Sequence, residues 1–482
     1  MRVLPTPLRL AQEVGARLGG RQVLLRPLPP DGNQDQRQGR PSMSCVVHWF
    51  RNDLRVSDNP ALLAAIAEAK ARSLPLLPVL VWDPAQADAS RWLPQRIGPH
   101  RQAWLAGTVA ALDAELRARG SRLVVLHGAP EVVLPELMSA TQAVALHAED
   151  IPAPEEADQA QAMGRAGKRL GASCTWSCTW HWQSTMLAPN DLPFSPRDLP
   201  AVFTTFRQHV EQAGIAPRTP LPAPQALPPV PELPALHTVT PPLPPASQPD
   251  ARSSFPFPQA HFAPGERGAQ AHLAQYCARR LPHSYKATRN GLSGTDFSSK
   301  LSPWLATGAL SAAQAIAAIR AFEAEHGAND GSYWLWFELL WREHFRLLHL
   351  KHGSALYRAR GLSQLPTPPH DEAAFRCWCE GRTGEPLVDA GMRELAATGW
   401  LSNRLRQIVA SYLIHDLACD WRAGAAWFEA CLIDFDVHSN QGNWLYVSGR
   451  GTDPRGGRRF NPDKQTRDHD PDGAYRRLWG TA

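Results

Sequence analysis

Short apolar runs, separated by polar and helix-forming stretches, dominate the first third of the chain. CVVHWF (45–50), PLLPVLVW (75–82), SRLVVLHG (121–128) and AVALHAE (143–149) read as strands, and ASCTW (172–176) as a fifth. Between them ALLAAIAEA, residues 100–119 and residues 130–139 read as helices, the second stopping at Gly120. Strands alternating with helices predict an α/β domain built on a parallel, Rossmann-like sheet over 44–180. No G-x-G-x-x-G follows the first strand, which argues against dinucleotide binding at that turn.

The pattern then breaks. Residues 217–258 hold 15 prolines in 42 positions, a composition that predicts an extended, polyproline-like segment. A connector is assigned to 181–262. Beyond it the period changes to that of helices: 266–281, 311–326, 331–351, 371–380, 389–397, 402–417 and 422–432. The second half, 263–482, therefore reads as an all-α domain, with an irregular Gly-, Arg- and Asp-rich tail after 448. Residues 1–43 resemble neither half. They are expected to be a disordered extension or an over-extended start, since Met43 stands just before the first strand.

Composition narrows the function classes. The chain has 482 residues and a net charge of +5, which permits an anionic partner without demanding one. No apolar run approaches the ~20 residues of a membrane span. The eight cysteines, with pairs in CTWSC (Cys174, Cys178) and CWC (Cys377, Cys379), lack zinc spacing. Reduced thiols in a bacterial cytoplasm are expected, with an organelle as destination only if 1–42 is a transit peptide. The 17 tryptophans exceed ordinary usage; they serve a core or a stacking surface.

Several constellations carry chemistry. In SYWLWFELLWREHFRLLHL, Glu338, Trp341, Arg342 and Phe345 share one helix face, with Glu338 and Arg342 placed for an i, i+4 pair. In GWLSNRLRQIVASYL, Asn403, Arg406, Gln407 and Ala410 repeat that spacing, and Ser402 stands where a cap is needed. Either face serves as an amphipathic surface or as a polar pocket wall. TDFSSKLSPWLATG offers hydroxyls and a lysine ahead of a helix near Pro303, which suits phosphate oxygens or plain capping. LIDFDVHSNQGNWLYVSGRGTDPR packs Asp434, Asp436, Asn440, Trp444 and Tyr446 between glycine turns. A buried Arg406 would need an anion, and Asp434 is a candidate.

These motifs, together with VVHWFRNDLRVSDNPAL and GRTGEPLVDAGMREL, recur in order from about residue 45 to the end. In them the chain resembles the photolyase/cryptochrome family and, through Gln407 and Tyr446, its DASH cryptochromes. The resemblance implies FAD in the helical domain and a light-driven lyase. That enzyme repairs cyclobutane pyrimidine dimers, preferentially in single-stranded DNA, as a monomer. A blue-light photoreceptor that binds DNA without repair is the alternative. By similarity Tyr285, Ser298, Ser299, Lys300, Leu301 and Ser302 would hold the pyrophosphate and ribityl region. Glu338 and Arg342 would line the cavity. Asn403, Arg406, Asp434 and Asp436 would also meet the cofactor, and Asn440 would face flavin N5. Trp341 and Tyr446 would sandwich the dimer, with Arg404, Gln407, Asn403 and Glu338 shaping its pocket. Trp444 and Trp421 match the inner and middle members of an electron relay. Pro368 stands at the outer position, and Trp378 is the nearest substitute. An antenna, 5,10-methenyltetrahydrofolate, is expected in the α/β domain or its cleft, with Glu149 as an acidic contact.

Overall fold

The computed structural model describes residues 44–86, 88–169, 176–233, 250–453 and 455–480. The expectations for 1–43 and for Cys174 lie outside them. The predicted strands form one five-stranded parallel sheet: β1 Val46–Phe50, β2 Leu76–Trp82, β3 Val124–His127, β4 Ala145–Glu149 and β5 Ser177–His181, in the order β3-β2-β1-β4-β5. All of β1 and β4 is buried. Strands covered on both faces read as continuous apolar runs, which is why these were legible. The covering helices are α1 Pro60–Ala71, α2 Pro99–Arg117, α3 Pro130–Ala140 and α4 Pro154–Arg169. Each opens on proline, whose fixed φ suits the first helical position. The strand order reverses between β1 and β4, so their carboxyl ends flank a crevice.

The fifth strand differs from expectation. Its sequence repeats the tripeptide CTW, and the second copy forms the strand, pairing from Ala145↔Ser177 to Glu149↔His181. That copy ends level with β4; residues 172–175 lie outside the described set. Helix α4 was also missed, because its sequence is mostly polar and alanine-rich.

The connector is not wholly extended. It contains α5 Phe203–Gln212, which buries Phe203, Phe206 and Val210 at helical spacing. Its coil is tied down as well: the Arg218 guanidinium binds the Asp58 carboxylate, and Leu76 donates its N–H to Pro229.

The remainder is helical: α6 Gly265–Ala278, α7 Tyr285–Thr288, α8 Ser302–Thr307, α9 Ala312–His326, α10 Asp330–His352, α11 Glu372–Cys379, α12 Pro386–Thr398, α13 Asn403–His415, α14 Trp421–Cys431, α15 Val437–Ser448, α16 Pro462–His469 and α17 Ala474–Trp479. Two expectations change. The tail is not irregular: α17 docks on α12, where the Tyr475 hydroxyl donates to Glu394 at 2.5 Å and Trp479 is buried. The segment read as glycine turns is helix α15. Gly442 sits inside it because a Cβ there would lie 2.2 Å from the Phe345 ring. Residues Ser44–Ala482 form one compact unit. One apolar core gathers α5, α6, α9 and α10 with Trp104 of α2, and another gathers α11 to α15 with α17. They meet where α10 packs on α15.

Candidate functional site

Three helix starts aim the polar faces. Asn329 and Ser332 form a reciprocal cap on α10, Ser402 accepts from Leu405 N–H on α13, and Asp436 accepts from Ser439 N–H on α15. Asn403, Arg406, Gln407 and Ala410 of α13 then face Asp436, Ser439, Asn440 and Trp444 across a cavity of about 90 Å³ that Asp434 also lines. This brings seven predicted residues together. Arg406 donates to Asp434 at 2.9 Å, leaving the other Asp434 oxygen buried without a partner. Asp436 differs, because both its oxygens are used: one caps α15, the other accepts from Arg346 at 2.9 Å. Burial alone would raise the Asp436 carboxyl, but Arg346 and His438 hold it well below the usual carboxylate range. Arg346 was not singled out from sequence, although it continues the Glu338–Arg342 face by another four positions.

The expected Glu338–Arg342 pair does not form. Arg342 is mostly buried, 12 % exposed, and donates to the Ser184 and Leu305 carbonyls, while Glu338 is ion-paired with Arg289. A buried guanidinium needs several acceptors, and these backbone oxygens supply them where one half-exposed carboxylate does not. Burial, reinforced by the Arg346 charge, lowers the Arg342 pKa to about 10. Arg404 donates to Asn290 at 2.9 Å, close to that pair.

Trp341 and Tyr446 touch edge to face, with ring centroids 5.6 Å apart, so no flat group lies between them in this state. The Arg458 guanidinium sits over the Tyr446 ring at 5.0 Å. Phe203 stacks on Trp341.

Ser298 and Lys300 line a separate cavity of about 100 Å³ with His272, Tyr276 and Arg279. Both have left-handed backbones, φ 60° and 57°, a cost of about 1–2 kcal/mol each that surrounding structure must hold. The Lys300 amine is buried with no hydrogen-bond partner, 3.3 Å over the Phe297 ring, and burial drives its pKa well below that of an ordinary lysine. Tyr285 is buried beside Ser298, and Ser299 offers its carbonyl to His272 at 2.9 Å. Leu301 caps and Ser302 opens the six-residue α8.

Trp444, Trp421 and Trp378 are 2 %, 1 % and 0 % exposed. Trp378 lies 6.4 Å from Trp444 and gives its indole N–H to Val409. Fully buried, Trp378 does not reach the protein surface. Gly424 makes room for Trp444, since a Cβ there would stand 2.2 Å from the indole. Glu149 is also fully buried. It does not line a cleft of about 790 Å³ that Trp49, Trp82, Trp92, Arg51, Trp421 and Asn440 help to wall. Neither of its oxygens has a partner, and burial together with the Asp53 charge raises its pKa to about 7.

Residues 46–226 match the family described as DNA photolyase, and 334–481 the FAD binding domain of DNA photolyase. The chain is 42% identical to a cryptochrome DASH of Gloeobacter violaceus over 91% of its length and 86% of the relative's. It is 41% identical to that of Xenopus laevis over 90% of its length and 82% of the relative's. The crystal structure of a Synechocystis cryptochrome superposes with a TM-score of 0.85 at 40% identity, covering 90% of this chain and 88% of that one. The chain belongs to the photolyase/cryptochrome family, with the DASH cryptochromes. A bacterial class III photolyase of Agrobacterium tumefaciens shares the fold at TM-score 0.75 and 30% identity, covering 92% of this chain and 88% of that one.

The family's FAD fits what the residues leave open. Buried polar groups are normally hydrogen-bonded. Here Lys300 Nζ, Asp434 Oδ1, Arg346 Nε and Nη1, and His438 Nε2 lack hydrogen-bond partners, while His438 Nδ1 stands 4.0 Å from Asp436. These donors and acceptors suit a cofactor carrying phosphates, hydroxyls and ring amides. Among the described residues no helix is long and apolar enough to cross a membrane.

Proposed function

We propose that the chain is a blue-light-driven lyase that splits cyclobutane pyrimidine dimers in single-stranded DNA. The observation that carries this reading is the edge-to-face meeting of Trp341 of α10 with Tyr446 of α15, with Glu338 three residues before Trp341 on the same helix and the Asn403–Asn440 cavity between α13 and α15. Such a wall recognises a flat pyrimidine whose ring N–H needs an acceptor.

Lys300, Arg406, Asp434 and Asn440 would hold FAD, with Tyr285, Ser298, Ser299, Leu301, Ser302, Arg342, Asn403 and Asp436 completing its surroundings. Once reduced and excited by light, that cofactor supplies the electron that opens the dimer's ring and then takes it back. Glu338 accepts from the pyrimidine, and Gln407, Asn403 and Arg404 orient it. Trp341 and Tyr446 stack on it after parting. Trp444 and Trp421 relay electrons toward the cofactor. Leaving a duplex costs a few kcal/mol, least for single strands, so Tyr in place of a larger stacking ring favours the single-stranded substrate. The 790 Å³ cleft, in the size range of a small-molecule site, is the place for a methenyltetrahydrofolate antenna. Glu149 then acts from behind its wall.

The test is light-dependent repair by the reduced, FAD-loaded protein on single- and double-stranded oligonucleotides carrying one dimer. Repair of the single strand is expected. Binding without repair on either substrate overturns the lyase and leaves a photoreceptor. Glu338→Ala should cut repair at least tenfold (about 1.4 kcal/mol in the barrier) while FAD stays bound; unchanged repair would misplace the pocket.

A further inference from the structure

Phe203 opens α5, inside the stretch read from sequence as connector. Its ring stacks on Trp341 with centroids 3.8 Å apart and planes within 11°. Phe203 is itself buried, with Phe337 and His344 at its edges, 5.1 and 5.9 Å away. Helix α5 is pinned to α10: Arg207 donates to the Tyr333 hydroxyl at 3.0 Å, which donates onward to Glu211 at 2.9 Å, and the Trp336 indole reaches the same carboxylate at 3.3 Å. One face of the Trp341 indole is therefore permanently covered. Any flat ligand must use the other.

We propose that Phe203 is a positioning residue of the lesion pocket. It backs Trp341 and fixes the indole plane, and so sets the affinity for a stacked pyrimidine dimer. This rests on the lyase reading of Trp341. A side chain ordered before binding loses less rotamer freedom on binding. Without Phe203 the indole would border an enlarged apolar cavity, since Val202, Phe203 and Tyr446 already line a space beside it. Immobilising a side chain on binding costs about 0.5–1.5 kcal/mol, equivalent to about two- to tenfold in Kd.

The experiment uses the full, FAD-loaded chain. Phe203→Leu and Phe203→Met keep an apolar side chain without the flat face, and Phe203→Tyr keeps the face. Dissociation constants are measured for a single-stranded oligonucleotide with one thymine dimer and for the undamaged strand, together with repair at saturating substrate. Leu and Met should raise the dimer Kd about two- to tenfold. They should leave the undamaged strand and the saturated rate unchanged, and Tyr should restore the affinity. Equal losses on both strands, or no loss on the dimer, overturn the proposal. If the unsubstituted protein binds both strands alike, the lesion-pocket reading itself falls. If it discriminates and the Leu and Met variants discriminate equally, only the role of Phe203 falls.

Discussion

The two walls that meet at α10 and α15 are finished differently. On the cofactor side, Lys300, Asp434, Arg346 and His438 keep buried polar atoms without partners. On the proposed lesion side, Glu338 is paired with Arg289, Trp341 with Phe203, and Tyr446 with Arg458, and the buried atoms left open are fewer, the Nε of Arg404 and of Arg458. A buried unsatisfied group costs about 1–3 kcal/mol. That cost is tolerable where a resident cofactor cancels it for the life of the protein. A pocket that is empty most of the time must satisfy itself and exchange those interactions for a ligand's. The contrast is one of degree, with most of the open polar atoms on the side of the permanent ligand.

The largest expected effect lies on the cofactor side. Arg346 and Asp436 are 1 % and 8 % exposed. Arg346→Met strands the Asp436 charge and should cost about 3–5 kcal/mol in denaturant unfolding. The double variant Arg346→Met, Asp436→Leu should recover much of this, short of the cap that Asp436 gives Ser439, about 1 kcal/mol. A single-variant loss below about 1 kcal/mol would mean that water reaches the pair and that this wall is not dry.

The walls also differ in how far sequence revealed them. Asn403, Arg406 and Gln407 share a face of α13, so helical spacing was enough to group them, whereas Asn440 and Trp444 were picked out by their chemistry in one short segment. Arg289 and Phe203 were invisible. They reach the pocket from α5 and from the turn after α7, and no periodicity relates them to Glu338 or Trp341. The buried strands announced themselves as apolar runs. The edge strand β5 did not, because a tandem CTW offered two equivalent frames and only pairing with β4 chooses between them. Helix α15 was obscured by Gly442, whose reason is the Phe345 ring of another helix. Tertiary packing of this kind leaves no local signature.

A second way to sharpen the contrast uses pH. Burial raises Glu149, Glu343 and Glu394 from the ordinary 4.5 to about 7. A raised carboxyl binds more protons folded than unfolded between those values. Its contribution to stability is therefore present below about pH 4.5 and is lost as pH climbs through about 7. Asp436, held low, runs the other way and yields only in stronger acid. Glu149→Gln should thus stabilise the FAD-free protein relative to the parent at pH 8 and not at pH 4.5. The comparison is read from unfolding midpoints across that window. Equal shifts at both pH values would show that Glu149 is hydrated rather than dry.

The smallest effect belongs to the lesion side. Arg289 and Glu338 are 23 % and 31 % exposed, so their ion pair is screened and worth less than about 1 kcal/mol. Arg289→Gln should barely move the unfolding midpoint. It should, however, free Glu338 to accept from a pyrimidine. If Arg289 also binds a DNA phosphate, its removal weakens damaged and undamaged strands alike, so the informative quantity is the ratio of the two affinities. That ratio should rise in favour of the dimer by at most about fivefold, the whole value of the exchanged pair. A fall in the ratio would mean that Arg289 itself reads the lesion. The pairing with Glu338 would then be part of the binding geometry and not an interaction the ligand replaces.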